Sequence, residues 1–379
     1  MRFHIPTKIV FGSGVVSQLK EIVREELKGS RPFLVTDQGI VASGIARKVL
    51  SQIGDIEVFD EVGQNPKHTT VNRAGDIVRK IEPDLIIGLG GGSAMDAAKA
   101  IALLATNPGN IEDYEGREKY KFSPLPVLAI PTTCGTASEV TWVSVITHAE
   151  RRFKMSIKGP KMFPAVALID PDLLLSLPPG LIASTGLDAL THAVEAYTVK
   201  VRTLITDIFA REALRLIFKY LEDAYKDIKG DKEAREKMMM GSTLAGMAFC
   251  NSDVGAVHCV AEAVGGLYDV PHGVANSIFL PFVMEFNLPE VSSRYADIAR
   301  LVGIREEDDE KAARELIQRI KSLSRSLSIP SFKELGIKED EFFEIAQKSF
   351  ENNSNPSNPR EANVEDYLVI LERAFYVGV

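Results

Sequence analysis

The residues best suited to chemistry are one aspartate and three of the six histidines. Asp188 and His192 are four residues apart, so on a helix they project from one face about one turn apart. His258 and His272 follow in the same half of the chain. One carboxylate and three imidazoles suit Fe²⁺ or Zn²⁺ and leave room for a substrate oxygen. The spacing therefore predicts a metal centre, the alternative being that these histidines are ordinary surface or core residues.

Helices must position these four residues, because the chain beyond Leu177-Pro178-Pro179-Gly180 has almost no alternating strand pattern. Apolar residues recur at helical spacing in six segments, at 181–199, 205–225, 233–251, 254–268, 312–327 and 364–376. The double proline predicts a domain boundary, with a dinucleotide-binding domain at 1–178 and an all-helical metal-binding domain at 179–379. Residues 352–359 are predicted as a polar loop before the last helix, the alternative being a disordered insert.

The first half of the chain alternates short β-branched runs with helical patterns. We predict strands at 32–37, 56–59, 84–89 and 126–130, with helices at 40–53, 69–81 and 93–105. This alternation predicts a doubly wound, mostly parallel α/β sheet. Strands at 142–147, 154–158 and 166–170 are predicted to form an added layer beside it, and residues 1–12 an edge strand.

Two polar turns follow strands of this predicted sheet. Gly90-Gly91-Gly92-Ser93 joins a strand to a helix, where backbone N–H groups and the helix dipole favour a pyrophosphate. The segment 131–139 follows the next strand and offers hydroxyl groups for a phosphate or nicotinamide. Asp37 ends an early strand and can accept a hydrogen bond from a ribose, or it can cap the next helix. Together the turns predict a dinucleotide site, whereas either alone is also typical of a turn without a ligand.

Bulk properties exclude several classes of function. A net charge of −8 gives no electrostatic support for binding nucleic acid, and no apolar run approaches the roughly 20 residues needed to span a bilayer. The three cysteines form no CxxC pair, and the N-terminus has no signal-peptide pattern. We therefore expect a cytoplasmic protein that acts on a small molecule, without a nucleic-acid or membrane partner.

The motifs together resemble the iron-containing (group III) alcohol dehydrogenases over essentially the whole chain. The matching segments are Val35-Thr36-Asp37, Gly90 to Asp96, Pro131 to Thr141, Asp170-Pro171, Gly186 to Glu195, Gly255-Ala-Val-His258, Tyr268 to Gly273 and Asn358-Pro359-Arg360. The resemblance implies NAD(P)-dependent oxidation of a small alcohol or diol, or reduction of an aldehyde, at a divalent metal. It also implies the two-domain layout of dehydroquinate synthase and a homodimer or larger homo-oligomer.

The resemblance assigns roles to individual residues. It implies Asp188, His192, His258 and His272 as ligands of Fe²⁺, with Zn²⁺ as the alternative. On the cofactor side, it implies that Gly91, Gly92 and Ser93 contact the pyrophosphate, that Thr132, Thr133, Val145 and Lys154 lie near the nicotinamide, and that Asp37 favours NAD over NADP. We place Asn65 and Asp96 among the cofactor-binding candidates as well.

Three positions depart from the family pattern or are unexpected. Glu262 stands where many members have a histidine, four residues after His258, and we count it among the catalytic candidates or as a structural residue. Ala137 replaces a usual glycine. Asp253 adds a charge near the expected substrate pocket, where it favours a polar substrate or is only a solvated loop residue.

Other functions remain open at this point. Glycerol-dehydrogenase-like enzymes oxidise polyols, but Asp188 and His192 fit the four-ligand iron type better. A dehydroquinate-synthase-like lyase needs basic residues for a phosphorylated substrate, and few Lys or Arg lie near the metal motifs. A non-catalytic nucleotide-binding protein is the third alternative, which the intact set of metal ligands disfavours.

Overall fold

The computed structural model describes residues 3–378, so Met1, Arg2 and Val379, which belong to the predicted edge strand and the predicted second domain, lie outside the described residues. The chain divides into two compact units, one from His4 to Leu177 and one from Pro178 onward that also includes Phe3. The division lies at the double proline where the sequence predicts a boundary.

A parallel sheet forms the centre of the N-terminal unit. The strands of this unit are β1 (Lys8–Phe11), β2 (Pro32–Val35), β3 (Glu57–Phe59), β4 (Leu85–Gly90), β5 (Gly116–Arg117), β6 (Val127–Pro131), β7 (Val143–His148), β8 (Phe153–Lys158) and β9 (Val166–Ile169). Six of them pair in the order β1-β9-β6-β4-β2-β3, all parallel, with β1 at one edge. The predicted α/β fold and N-terminal edge strand are therefore confirmed for the described residues.

Helices cover both faces of this sheet. They are α1 (Leu19–Glu21), α2 (Gln38–Ala42), α3 (Ile45–Ile53), α4 (His68–Ile81) and α5 (Gly92–Leu104). Because both faces are covered, strands such as β4 are apolar and buried at every position. The predicted helix at 40–53 is interrupted at Gly44, whose left-handed φ of 82° ends one helix and begins the next.

A second, small sheet lies beside the first. β7 and β8 form an antiparallel hairpin, and β5 pairs with β8 in parallel. The prediction that 166–170 also belongs to this added layer is wrong, since β9 pairs with β1 and β6 in the main sheet. The physical reason is its sequence Val-Ala-Leu-Ile, which is buried at all four positions and therefore suits a strand covered on both faces.

The described part of the C-terminal unit contains helices joined by loops and no β-strand. Its helices are α6 (Pro179–Thr198), α7 (Leu204–Asp227), α8 (Lys232–Ser252), α9 (Ala256–Tyr268), α10 (His272–Leu301), α11 (Asp309–Ser326), α12 (Phe342–Phe350) and α13 (Val364–Tyr376). The sequence did not predict α10 or α12. α10 contains Pro281 and Pro289, and prolines in a sequence are read as helix breakers; the helix is kinked only at Val291, whose φ and ψ are not helical. No helix of residues 3–378 is both long and apolar enough to cross a membrane.

The predicted polar loop before the last helix is packed into the C-terminal unit. Asn352, Ser354, Ser357 and Asn358 are all buried. Asn358 accepts a hydrogen bond from the backbone N–H of Ala256 at the start of α9 and exchanges two more with Asn287 of α10. The loop thus ties together the two helices that carry His258 and His272, and it is not a disordered insert.

Candidate metal centre and cofactor-binding turns

Three helices bring the four predicted ligands together inside the C-terminal unit. Asp188 and His192 lie one turn apart on α6, His258 lies on α9, and His272 is the first residue of α10. One ligand atom from each residue can be chosen so that all four lie within 4.8 Å of one another. Asp188, His192 and His258 are buried, whereas the His272 side chain is 25% exposed. The cluster therefore has a half-open side at His272.

The distances fit a divalent ion after a small contraction. Asp188 Oδ1 lies 3.9 Å from His192 Nδ1 and 3.8 Å from His272 Nε2. Bonds of about 2.0–2.2 Å place two tetrahedral ligand atoms roughly 3.3 Å apart, so these two pairs would each have to close by about half an ångström. Asn276 Nδ2 donates to Asp188 Oδ1 at 2.7 Å and lies 3.2 Å from the Nε2 atoms of His258 and His272. The donor set and its spacing fit Fe²⁺ or Zn²⁺.

Gly273 permits the close approach of α10 to α6. A Cβ atom at this position would lie 2.5 Å from the Ser184 carbonyl oxygen and 3.4 Å from the Asp188 Cβ. Only a residue without a side chain lets the first turn of α10 reach this depth. The Pro-His-Gly sequence therefore both begins the helix and delivers His272 to the cluster.

Glu195 contacts the Nδ1 side of His258, one of the four predicted ligands. Its Oε2 lies 2.5 Å from His258 Nδ1, and its Oε1 accepts from the Val257 N–H at 2.8 Å. A carboxylate on Nδ1 fixes the ring and leaves Nε2 for a metal. Burial opposes a charge on His258, but the charge and hydrogen bond of Glu195, with the nearby carboxylates of Asp188 and Glu262, raise the pKa of His258 overall. The electric field of the pocket thus favours a cation.

Two acidic residues that the sequence placed near the substrate form hydrogen bonds within the protein. Glu262 Oε2 accepts from Asn352 Nδ2 at 2.7 Å. Asp253 accepts from the hydroxyls of Ser354 and Ser357 and from its neighbour's N–H. Both carboxylates therefore anchor the polar loop at 352–359, and Asp253 is not a solvated loop residue.

On the N-terminal unit, Asp37 and the glycine turn meet where the strand order reverses. The chain runs from β2 outward to β3 and then returns across β2 to β4. Open α/β sheets bind ligands at the carboxyl ends of the strands that flank such a point. Asp37 Oδ1 caps α2 by accepting from the Ile40 N–H at 2.9 Å, and its Oδ2 lies 3.2 Å from where a Cβ on Gly90 would be. The cap thus occupies one carboxylate oxygen and leaves the other beside the turn.

The two polar turns pack against each other, since β4 and β6 are neighbours. A Cβ on Gly92 would lie 2.6 Å from the Thr136 side chain, and the Thr132 N–H donates to the Gly90 carbonyl. Gly91 caps α5, so the N–H groups of Gly92 and Ser93 open its first turn. Ala137 has a left-handed φ of 49°, a conformation that costs an alanine energy and that glycine adopts freely.

Asp96 holds the second turn in place through side-chain contacts. Its carboxylate accepts from the Ser138 hydroxyl at 2.5 Å and the Val145 N–H at 2.9 Å, and lies 3.1 Å from Lys99 Nζ. Lys99 is 1% exposed and also donates to the carbonyls of Ser138 and Val143. Among the cofactor candidates, Asp96 therefore positions the segment from Ser138 to Val145, since these contacts occupy both carboxylate oxygens.

The β7–β8 hairpin carries the remaining cofactor candidates. Val145 opposes Ser156 and Thr147 opposes Lys154, which puts Val145 and Lys154 on one face. Asn65 is buried, with φ 46°, and precedes a backbone contact in which the Thr147 N–H donates to the Pro66 carbonyl. The structure thus gathers Asn65, Val145 and Lys154 around one hairpin.

Sequence reasoning gave no role to Glu195, Asn276 or Lys99. Glu195 and Asn276 each lie three or four residues from a ligand, at His192 and His272, so helical spacing was the available signal. A polar residue one turn from a ligand on an apolar helix is a candidate partner of that site. Lys99, likewise, is a lone cation in the apolar helix α5.

Comparison with known proteins identifies the family. A family described as iron-containing alcohol dehydrogenase matches residues 6–171, and its C-terminal counterpart matches 182–375. Alcohol dehydrogenase 4 of Saccharomyces cerevisiae (strain YJM789) is 39% identical and an NAD-dependent methanol dehydrogenase of Bacillus methanolicus 37% identical, over 98% of this chain and 98–99% of theirs.

A solved structure of a 1,3-propanediol oxidoreductase superposes with a TM-score of 0.95, at 38% identity and 99% coverage of both chains. The parallel sheet with covering helices and the helical second unit are thus the architecture of this family. The chain belongs to the iron-containing alcohol dehydrogenase family and is an NAD(P)-dependent oxidoreductase of alcohols and aldehydes.

Proposed function

We propose that this enzyme oxidises small primary alcohols or diols, or reduces the matching aldehydes, with Asp188, His192, His258 and His272 holding the metal. The convergence of these four residues from three helices carries the proposal. NAD is the proposed cofactor, since a carboxylate oxygen of Asp37 lies beside the glycine turn. That charge would repel the 2′-phosphate of NADP.

Each proposed role follows from a contact. When bound, a divalent cation supplies Lewis acidity to the substrate oxygen and the nicotinamide supplies the hydride acceptor. Asp188 contributes the one negative ligand, and Asn276 orients it. His272, the most exposed of the four, is proposed to border the substrate's entry. The buried surroundings of the other ligands exclude water, which strengthens electrostatic interactions there.

On the cofactor side, the N–H groups that open α5 are proposed to bind the pyrophosphate. Thr132, Thr133, Val145 and Lys154 are proposed to line the nicotinamide end, and Asn65 to lie beside them. Asp96 is proposed to act by holding the Ser138–Val145 segment.

A metal analysis coupled to a substrate panel tests the proposal. Protein purified without oxygen should retain about one metal ion per chain. It should also reduce NAD with short primary alcohols and 1,3-diols. His258→Ala and His272→Ala should each lose most of the metal and nearly all turnover while circular dichroism stays unchanged. His4→Ala, a histidine outside the cluster, is the matched control.

The outcomes separate the competing functions. Retained metal and activity in both alanine variants would overturn the ligand assignment. Preference for glycerol over primary alcohols would favour a polyol dehydrogenase. NAD-dependent turnover only with a phosphorylated cyclic substrate, and none with alcohols, would favour a lyase.

A further inference from the structure

Two more histidines form a separate cluster with a glutamate in the N-terminal unit. His68 begins α4, His148 ends β7, and Glu150 lies in the turn between β7 and β8. One ligand atom from each residue can be chosen so that all three lie within 4.8 Å of one another. These residues belong to none of the motifs that define the alcohol dehydrogenase site, and the inference below stands apart from the proposed function.

The polar atoms already have the spacing of metal ligands. Glu150 Oε2 lies 3.2 Å from His68 Nε2 and 3.1 Å from His148 Nδ1. His148 Nδ1 also accepts a long hydrogen bond of 3.4 Å from the Arg151 N–H, which an ion would replace. Two atoms bound tetrahedrally to one zinc-like ion at about 2.0–2.2 Å lie roughly 3.3 Å apart. Both carboxylate–imidazole distances are within a few tenths of an ångström of that value. The two imidazoles are stacked with centroids 4.3 Å apart, so one ring must rotate for both in-plane lone pairs to reach one ion.

The backbone fixes the two segments before any ion binds. The Thr147 N–H donates to the Pro66 carbonyl at 2.8 Å, and Lys67 and Thr147 form a bridge between the segments. The Ala149 N–H donates to His68 Nδ1 at 3.3 Å, and this hydrogen bond leaves Nε2 facing Glu150. Such preorganisation lowers the entropy lost when an ion binds.

Exposure differs among the three side chains. His68 is 7% exposed and His148 18%, whereas Glu150 is 68% exposed. The cluster is therefore open to solvent on the side of Glu150, where water molecules can complete the coordination of an ion. The neighbouring cation Arg151 is paired with Glu115 at 2.6 Å, which offsets its charge.

We propose that His68, His148 and Glu150 form a second metal site, which binds one borderline divalent cation such as Zn²⁺. Two imidazole nitrogens and one carboxylate oxygen are ligands that Zn²⁺ accepts, and they disfavour the harder Mg²⁺ and Ca²⁺. A bound ion would link α4 to the β7–β8 turn and so stabilise the hairpin.

Zinc uptake by the metal-loaded enzyme tests the proposal. The holoenzyme is dialysed against Zn²⁺ with a competing chelator, and zinc and iron are counted together so that exchange at the four-residue cluster is recognised. Wild type should take up one zinc per chain beyond any that replaces iron, and its thermal midpoint should rise. His148→Ala and Glu150→Gln should weaken this uptake by about tenfold or more, since losing even a supporting hydrogen bond costs that much in metal affinity.

His4→Ala is the control, because it removes the remaining histidine, outside both clusters. It should bind the extra zinc as wild type does. Glu150→Gln guards against misfolding, since its side chain is largely exposed and circular dichroism should stay unchanged. The proposal is overturned if wild type takes up no zinc beyond the iron it loses. It is equally overturned if folded Glu150→Gln and His148→Ala bind the extra zinc as tightly as wild type.

Discussion

The four-residue cluster and the cofactor turns use their side chains in opposite ways. In the cluster, the side chains of Asp188, His192, His258 and His272 are proposed to offer the functional atoms, and Glu195 holds one of them. In the turns, the backbone N–H groups at the start of α5 are proposed to offer the functional atoms, and the side chain of Asp96 holds the neighbouring segment. In the first region, the residue types therefore indicate which groups are proposed to bind the metal. In the second region, they mostly indicate which side chains hold the backbone in place.

Asp96→Asn should have the largest effect, on stability. It leaves Lys99 buried without its ion-pair partner, and breaking such a pair typically destabilises by about 3–5 kcal/mol. Because Lys99 keeps its carbonyl acceptors, we expect the lower end, about 3 kcal/mol, in urea unfolding followed by fluorescence. NAD should also bind more weakly.

Asp76→Asn is the matched control for that prediction. Asp76 pairs with Arg79 across one helical turn at the surface, and exposed pairs contribute at most about 1 kcal/mol. If the Asp96 and Asp76 variants lose equal stability, Asp96 does not support the cofactor segment in the way that the contacts indicate.

Glu195→Gln should weaken metal binding in the other region. Gln keeps the size of the side chain but loses the charge opposite His258 Nδ1. Its NH₂ group would also face one of two donors, the Val257 N–H or His258 Nδ1, that now donate to a carboxylate oxygen. Loss of such a supporting partner typically lowers metal affinity or activity about 10–100-fold. The measurement is metal retained after dialysis against a graded chelator, with exposed Glu212→Gln on α7 as control. Unchanged retention would make Glu195 a structural residue only.

Helical spacing explains why the four ligand candidates could be selected from sequence. The i, i+4 spacing of Asp188 and His192 is visible in the sequence, whereas the hydrogen bond between Glu195 and His258 joins residues 63 positions apart. No local pattern encodes that contact. The fold class followed from alternating strands and helices, but the place of β9 did not, since a four-residue apolar run does not specify which sheet it joins. Similarly, α10 was missed because tertiary packing retains a helix that its prolines would otherwise interrupt.

Asp37→Gly should change cofactor preference by about tenfold or more, which corresponds to about 1.4 kcal/mol. The change removes both the carboxylate oxygen beside Gly90 and the cap of α2. Asp37→Asn separates these roles, since Asn keeps a capping oxygen and loses the charge. The ratio of kcat/KM for NAD to that for NADP should fall in both variants. A wild type that already prefers NADP would refute the argument from Asp37.

Glu262→Gln should have the smallest effect, roughly tenfold or less on kcat, compared with about 10²–10⁴ for a general acid–base residue. Its Oε2 accepts from Asn352, and Gln keeps an oxygen that can accept the same bond. Glu262 therefore anchors the loop at 352–359, although it lies one turn from His258 on α9. Glu262→His should be tolerated if the resemblance holds at this position, since the family pattern has a histidine four residues after the one that matches His258. The measurement is kcat against pH with metal content determined on the same sample. A thousandfold loss of kcat in Glu262→Gln at full metal occupancy would show that Glu262 carries a proton transfer. Glu262 would then take part in the reaction, and would not be a residue that only supports the predicted ligand His258 on the same helix.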